Sequence, residues 1–305
     1  MKISLAAGCL LSLAGCASLG ARATLAPNLV AFYDFEHPMP GDPAREQDQG
    51  SSGTPFVLVN GGAAMRVEDG AHPGSRYSLQ TKQVNPTADG NDDWKGGNFS
   101  ESGIPSLRAF SRVRGVTVMT WVKRSGPPAF NTNTANPSDV YNAVGLAGIL
   151  TGNSSGHDVR ALLEIISVRD TMRLVALGRR LDGGNSATYA ARERWEDLLP
   201  LNQWTHLAAT FDFDNGTMAL YRDGRELPGF YANTGDPWEI EGGAEPDLAS
   251  ATDPRGMKIG GSFPQNTDER NPFDGRFDDI MFLDRALTPA EVLLAYERFR
   301  AGVVP

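Results

Sequence analysis

Residues 203–227 read QWTHLAATFDFDNGTMALYRDGREL, and this stretch decides the fold class. Thr205–Phe213 and Thr217–Arg222 are rich in β-branched and aromatic residues and alternate in polarity, as half-buried strands do. Asp214-Asn215-Gly216 and Asp223-Gly224 supply the positive-φ residues that tight hairpin turns require. The spacing predicts an antiparallel meander over 204–227.

Outward from it, short β-patterned runs recur at Leu29–Phe35, Val116–Lys123, Leu162–Val168, Met172–Leu177 and Arg276–Leu283, punctuated by Gly, Pro, Asn and Asp. Such spacing points to a sandwich rather than to βαβ units. Thr288-Pro289-Ala290-Glu291 is a capping box with proline in the first turn, opening a short helix to about Arg298. One further helical turn is expected at Arg192–Leu199. Three stretches, 84–106, 125–146 and 232–256, read as long loops. The expected fold is all-β, a two-sheet antiparallel jelly-roll sandwich with long loops and a short C-terminal helix.

Composition supports this and removes other classes. The 305 residues are 40% apolar and 21% charged, with 2 Cys and a formal net charge of −9. A chain of that length and apolar content buries a real core, which excludes full-length disorder, a disulfide scaffold and a collagen-like chain. The negative charge argues against a nucleic-acid binder, which needs a phosphate-attracting field. Residues 1–16, MKISLAAGCLLSLAGC, have the charged start and short apolar core of a secretory signal. Leu13-Ala14-Gly15-Cys16 resembles the lipobox of bacterial lipoproteins, which implies cleavage before Cys16 and lipidation of its thiol. Ordinary secretion with a cut after Ala21-Arg22-Ala23 is the competing reading. The expected organisation is a signal at 1–15, a tether at 16–28, one domain at 29–299 and a tail at 300–305.

Several segments taken in order resemble the LamG-like jelly roll of the concanavalin A-like lectin/glucanase superfamily. They are LVAFYDFE with DQGSSGTPFVLVNGGA, GVTVMTWVKR, the 203–227 meander, and FDGRFDDIMFLDRALTPAEVLLAYERF. The resemblance implies two face-to-face antiparallel sheets. It leaves function open, because this fold hosts lectins, adhesins, glycoside hydrolases and polysaccharide lyases. It also implies a structural Ca2+ tying the first strand to the last, with Glu36, Asp48 and Asp278 at the matching acidic positions and Asp34 and Asp279 beside them. The competing reading has the Asp278 and Asp279 carboxylates capping amides or pairing with arginine.

Candidate site residues follow from chemistry. A lyase needs a base and a carboxylate neutraliser; His157 or a tyrosine, Tyr141 or Tyr189, is the expected base, with Arg160 or Arg173 as neutraliser. The strand motifs of alginate-lyase-type jelly rolls are absent. Trp94, Trp195 and Trp238 lie outside the recognised strands, where an indole stacks on sugar or pins a loop. Trp121 and Trp204 read as core, and His206 as a structural, hydrogen-bonded histidine. Residues 160–194 hold seven arginines, Arg179 and Arg180 among them, against four acidic residues; guanidinium forks suit carboxylate or sulfate. No strand offers the paired carboxylates of a retaining glycosidase.

The leading expectation is a cell-envelope lipoprotein, exported and lipid-anchored with the outer membrane favoured, that binds an anionic or neutral polysaccharide. Its ligand contacts are Trp94, Trp238, Arg179 and Arg180, and its one membrane contact is the lipid. The alternatives are a polysaccharide-degrading enzyme, lyase ahead of hydrolase, and a protein-binding adhesion module.

Overall fold

The structure, a computed structural model, describes residues 25–82, 84, 93–111, 113–126, 144–150, 159–179, 187–232, 253–261 and 273–303. Two antiparallel sheets face each other. The first has eight strands: β1 (Leu29–Tyr33), β5 (Arg66–Val67), β6 (Ser78–Thr81), β8 (Gly115–Arg124), β13 (Trp204–Asp212), β14 (Thr217–Arg222), β15 (Arg225–Glu226) and β18 (Gly275–Leu283). The second has ten: β2 (Pro38–Met39), β3 (Asp42–Glu46), β4 (Phe56–Val59), β7 (Lys95–Phe99), β9 (Val144–Leu150), β10 (Val159–Val168), β11 (Thr171–Gly178), β12 (Ala187–Ala191), β16 (Gly229–Tyr231) and β17 (Gly256–Ile259). The expected jelly-roll sandwich is the observed one.

The seven predicted strands form within a few residues of their expected ends, and the meander pairs β13, β14 and β15 in successive hairpins, the first turning at Gly216 and the second at Asp223 and Gly224, all at positive φ, while β13 pairs β8 on its other side. The capping box also forms. Thr288 accepts from Glu291 N, and Glu291 reaches back to Thr288 N, opening α2 (Pro289–Arg300). The helical turn predicted at 192–199 is α1 (Trp195–Leu198).

Two stretches read as loops instead contain strands. β7 lies inside 84–106, and β9 begins at Val144. Glycine hid β7, yet the sandwich requires it: a Cβ on Gly96 would run into the Phe56 ring, and Gly97, at φ +150, backs onto the Met257 carbonyl. β9 is buried on both faces, so its sequence VGLAGIL lacks the alternation that marks a one-sided strand.

The main core fills the space between the sheets, with Phe56, Leu163, Ile165, Leu174, Leu207, Phe277 and Phe282 among its members. A second cluster lies on the far side of the eight-stranded sheet, where Met119, Trp121, Tyr221 and Met281 are covered by Val292, Ala295 and Phe299 of α2. No helix among the described residues is long and apolar enough to cross a membrane.

Candidate functional site

The ten-stranded sheet has an outward face whose residues follow from its pleat. Leu163, Ile165, Met257 and Ile259 point into the core, so Glu164 and Lys258 point away from it. Register places Phe230, Ala190, Val175, Glu164 and Gly145 in one row across β16, β12, β11, β10 and β9. Leu177, Leu162, Gly148, Lys258 and Gly97 form the next, running from β11 to β7. From β16 to β7 the face is about 29 Å wide at ~4.8 Å per strand.

This face has a charged centre on a glycine floor. Glu164 is 3% exposed, Lys258 7% and Lys95 1%, values rare for such side chains. Gly145 lets the Lys258 stem lie close, since a Cβ there would stand 3.3 Å from Lys258 Cε. Towards the β16 edge, Arg169 and Arg173 lie over the Phe230 ring, with Cζ 4.9 and 5.3 Å from its centroid. Phe230 covers a small apolar patch of Val168, Val175 and Ala190. Arg173 is fixed by hydrogen bonds to the carbonyls of Ala191 and Arg192, at 3.1 and 2.9 Å. Two lysines and one carboxylate therefore share the centre of this face and two arginines stand towards its β16 edge, in a chain of net charge −9.

Of the predicted bases and neutralisers, Tyr189 and Arg173 are not brought together. Arg173 stands on the outward face, whereas Tyr189 lies opposite Ala176 in register, on the core-facing side. There Tyr189 packs edge-on against Tyr231 at 5.1 Å, and burial raises its phenol above the usual value. A tyrosine so placed cannot take a proton from a sugar held by Arg173. Arg160 belongs to β10, and Arg179 follows β11, half-buried. Cys16, Tyr141, His157, Arg180 and Trp238 lie outside the described residues.

The tryptophans divide. Trp94 packs on Gly61 with the Lys82 ammonium 3.7 Å above its ring, half-buried against the core, so it pins the segment to β6. Trp195, grouped with the ligand candidates in sequence, is buried with the Arg124 guanidinium over it at 4.9 Å. Trp121 is core as expected, and Trp204 is half-buried beside it. His206 is buried, but neither ring nitrogen has a protein hydrogen-bond partner. Burial and the nearby His72 lower its pKa to about 3.

Glu36, Asp48 and Asp278 do not form a common ligand set, and each carboxylate is occupied by protein donors. Asp48 accepts from Phe32 N, Gly50 N, Ser52 Oγ and Thr54 N. Glu36 accepts from Arg76 N and Tyr77 N, and Asp278 from Ala71 N, Ser75 Oγ and Asp279 N. The group that could hold a metal ion is Asp34, His37 and Glu46, with ligand atoms within 4.8 Å of one another. It straddles Phe35, a buried non-glycine residue at φ +60. His37 Nδ1 meets Asp34 Oδ1 at 2.9 Å, which raises the imidazole pKa. Glu46 accepts from His37 N at 2.6 Å and pairs with Arg66; burial raises its pKa against the pull of Arg66. Two carboxylates are suitable donors to Ca2+, which takes six to eight oxygens, while the imidazole suits a borderline cation such as Zn2+.

Residues 95–293 match the family model of the concanavalin A-like lectin/glucanases superfamily. A search of curated proteins returns no match. Among solved structures, a Trypanosoma rangeli sialidase with 2,3-difluorosialic acid, a covalent intermediate, aligns at TM-score 0.53 and 12% identity, over 92% of this chain and 34% of that one. The same sialidase with sialic acid gives 0.52, with the same identity and coverage. The botulinum neurotoxin serotype G binding domain gives 0.50 at 12% identity, over 88% and 51%. These identities establish likeness of fold. The chain spans about a third of the sialidase's length and about half of the toxin domain's.

Proposed function

We propose that this chain, which belongs to the concanavalin A-like lectin/glucanases superfamily, is a carbohydrate-binding module that takes an acidic polysaccharide on the outward face of its ten-stranded sheet. The observation that carries the reading is the Arg173 guanidinium, fixed by the carbonyls of Ala191 and Arg192 and lying over the Phe230 ring towards the β16 end of that face. Arg173 and Phe230 supply a guanidinium and an aromatic ring at one end, the pair that suits a carboxylated sugar. The structural relatives support the fold of this reading and not its ligand.

The domain is 29–299 in this reading. The chain is exported through its signal and anchored by lipid at Cys16, with the outer membrane favoured; the support is the Leu13-Ala14-Gly15-Cys16 sequence. A cation held at Asp34, His37 and Glu46 would be structural, since it lies among strand ends. Ca2+ would use the two carboxylates and displace the His37 and Arg66 contacts.

Native affinity electrophoresis of residues 24–305 in gels cast with neutral or acidic polysaccharides tests the binding. Retardation by acidic polymer, relieved by salt and weakened in Arg173→Met, is expected. Equal migration in every gel would refute it, and a cleared zone in the polymer stain would replace binding by depolymerisation.

A further inference from the structure

Beneath α2, on the outer side of the eight-stranded sheet, lies a polar chamber within an apolar cluster. Register sets His206, Trp121 and Asp278 side by side on β13, β8 and β18. Asp279 follows in the left-handed region at φ +46, inside a bulge of β18. His72 reaches in from the turn after β5, 2.5 Å from Asp279 Oδ2. Phe299 lies 5.8 Å from both imidazoles, and Tyr296 lies 5.7 Å from His206 and 5.8 Å from Trp121.

Four atoms in this chamber are buried and lack a partner in the protein: Trp121 Nε1, both ring nitrogens of His206, and Asp279 Oδ1. Their chemistry is complementary. The indole N–H can only donate, a neutral imidazole donates once and accepts once, and the carboxylate oxygen can only accept. His72 engages only Oδ2 of Asp279. Its Nδ1 accepts from Gly74 N at 3.1 Å, and its Nε2 faces Asp279 Oδ2. Leaving four such atoms bare would cost as much as a domain's whole margin of stability.

We propose that this chamber is an internal hydration site, in which about two ordered waters link Trp121, His206 and Asp279. One water accepts from Trp121 Nε1 and from the protonated nitrogen of His206 and donates to Asp279 Oδ1. Another takes the remaining nitrogen of His206. Trp121 and His206 meet edge-on with ring centroids 5.3 Å apart, so the bridging water belongs at their nitrogen-bearing edges and not between the rings. The waters become part of the floor on which α2 docks, joining that helix to β8, β13 and β18 through polar contacts as well as apolar ones.

A crystal structure of the full chain at about 1.5 Å would show these waters within hydrogen-bond distance of the named atoms. Water-17O relaxation dispersion in solution would report them as long-lived, and the signal would fall by that number in Trp121→Phe/His206→Leu. A dry chamber in which Trp121 Nε1 bonds Asp279 directly would overturn the proposal. So would a metal ion in the density, or a dispersion signal unchanged in a folded double variant. If the double variant does not fold, the wild-type density decides.

Discussion

Arg66→Ala should convert a satisfied interior into one holding an uncompensated charge. Glu46 is fully buried, and the Arg66 side chain is 10% exposed. Removing one partner of such a pair costs about 3–5 kcal/mol. Arg66 Nε and Nη1 also donate to the carbonyls of Phe35 and Pro43, each at 3.0 Å. The contact to Phe35 tethers a residue in the left-handed region and adds about 1 kcal/mol. The expected loss is about 4–6 kcal/mol, measured by urea unfolding at pH 7.

The loss should depend on pH with a definite sign. Burial already holds the Glu46 pKa above 4.5, and Arg66 opposes that rise. Without Arg66 the folded-state pKa climbs further. A carboxyl whose pKa is raised on folding is penalised above that pKa and not below its unfolded value. The deficit of Arg66→Ala against wild type should therefore narrow as pH falls from 7 towards 5. A deficit below about 1 kcal/mol, or one equal at both pH values, would refute the account of Glu46 as an ionised group held by Arg66. The same variant frees Asp34, His37 and Glu46 from the guanidinium, so Zn2+ should raise its Tm more than that of wild type.

Other outcomes follow from features described above. Thr288→Ala removes the capping box of α2 and should cost about 1 kcal/mol, read as a lower Tm. His206, with a pKa near 3 against 6.5 when unfolded, contributes stability that is full above pH 6.5 and lost as pH falls towards 3. That contribution amounts to about 5 kcal/mol, and unfolding titrations of His206→Leu should show the acid slope reduced. Phe230→Ala should weaken retardation in acidic-polysaccharide gels severalfold while leaving a cooperative unfolding transition with a free energy within about 2 kcal/mol of wild type. Gly256→Ala should be strongly destabilising, because the glycine sits at φ +153 against the Asn98 carbonyl.

The eight-stranded sheet was largely legible because its long strands carry one apolar face each and its turns are spelled by Asp, Asn and Gly. The ten-stranded sheet was legible only in part. β7 and β17 depend on glycines that let neighbouring backbones approach, and glycine reads as a loop signal in a single sequence. The candidate face suffered for the same reason. Glu164 and Lys258 lie 94 residues apart in strands whose register depends on those glycines. The alternation of Glu164 among Leu163 and Ile165 was the available signal for the former. For Lys258 no motif exists. The Tyr189 and Arg173 pairing failed on parity: the offset between β11 and β12 that sends them to opposite faces is set by hairpin register, which spacing alone does not give. Asp34, His37 and Glu46 meet because the chain turns sharply at Phe35, a residue that nothing in the sequence marks for a left-handed backbone.

β18 joins β1 on one side and β8 on the other, and Asn28 bonds Asp284 across 256 positions. The sheet therefore stays open along its middle until almost the whole chain has been made. A ribosome-bound chain would expose the edges of β1 and β8 with nothing to cover them. Final closure must wait for the last strand and its capping helix, so folding should be slow, late and dependent on protection of those edges.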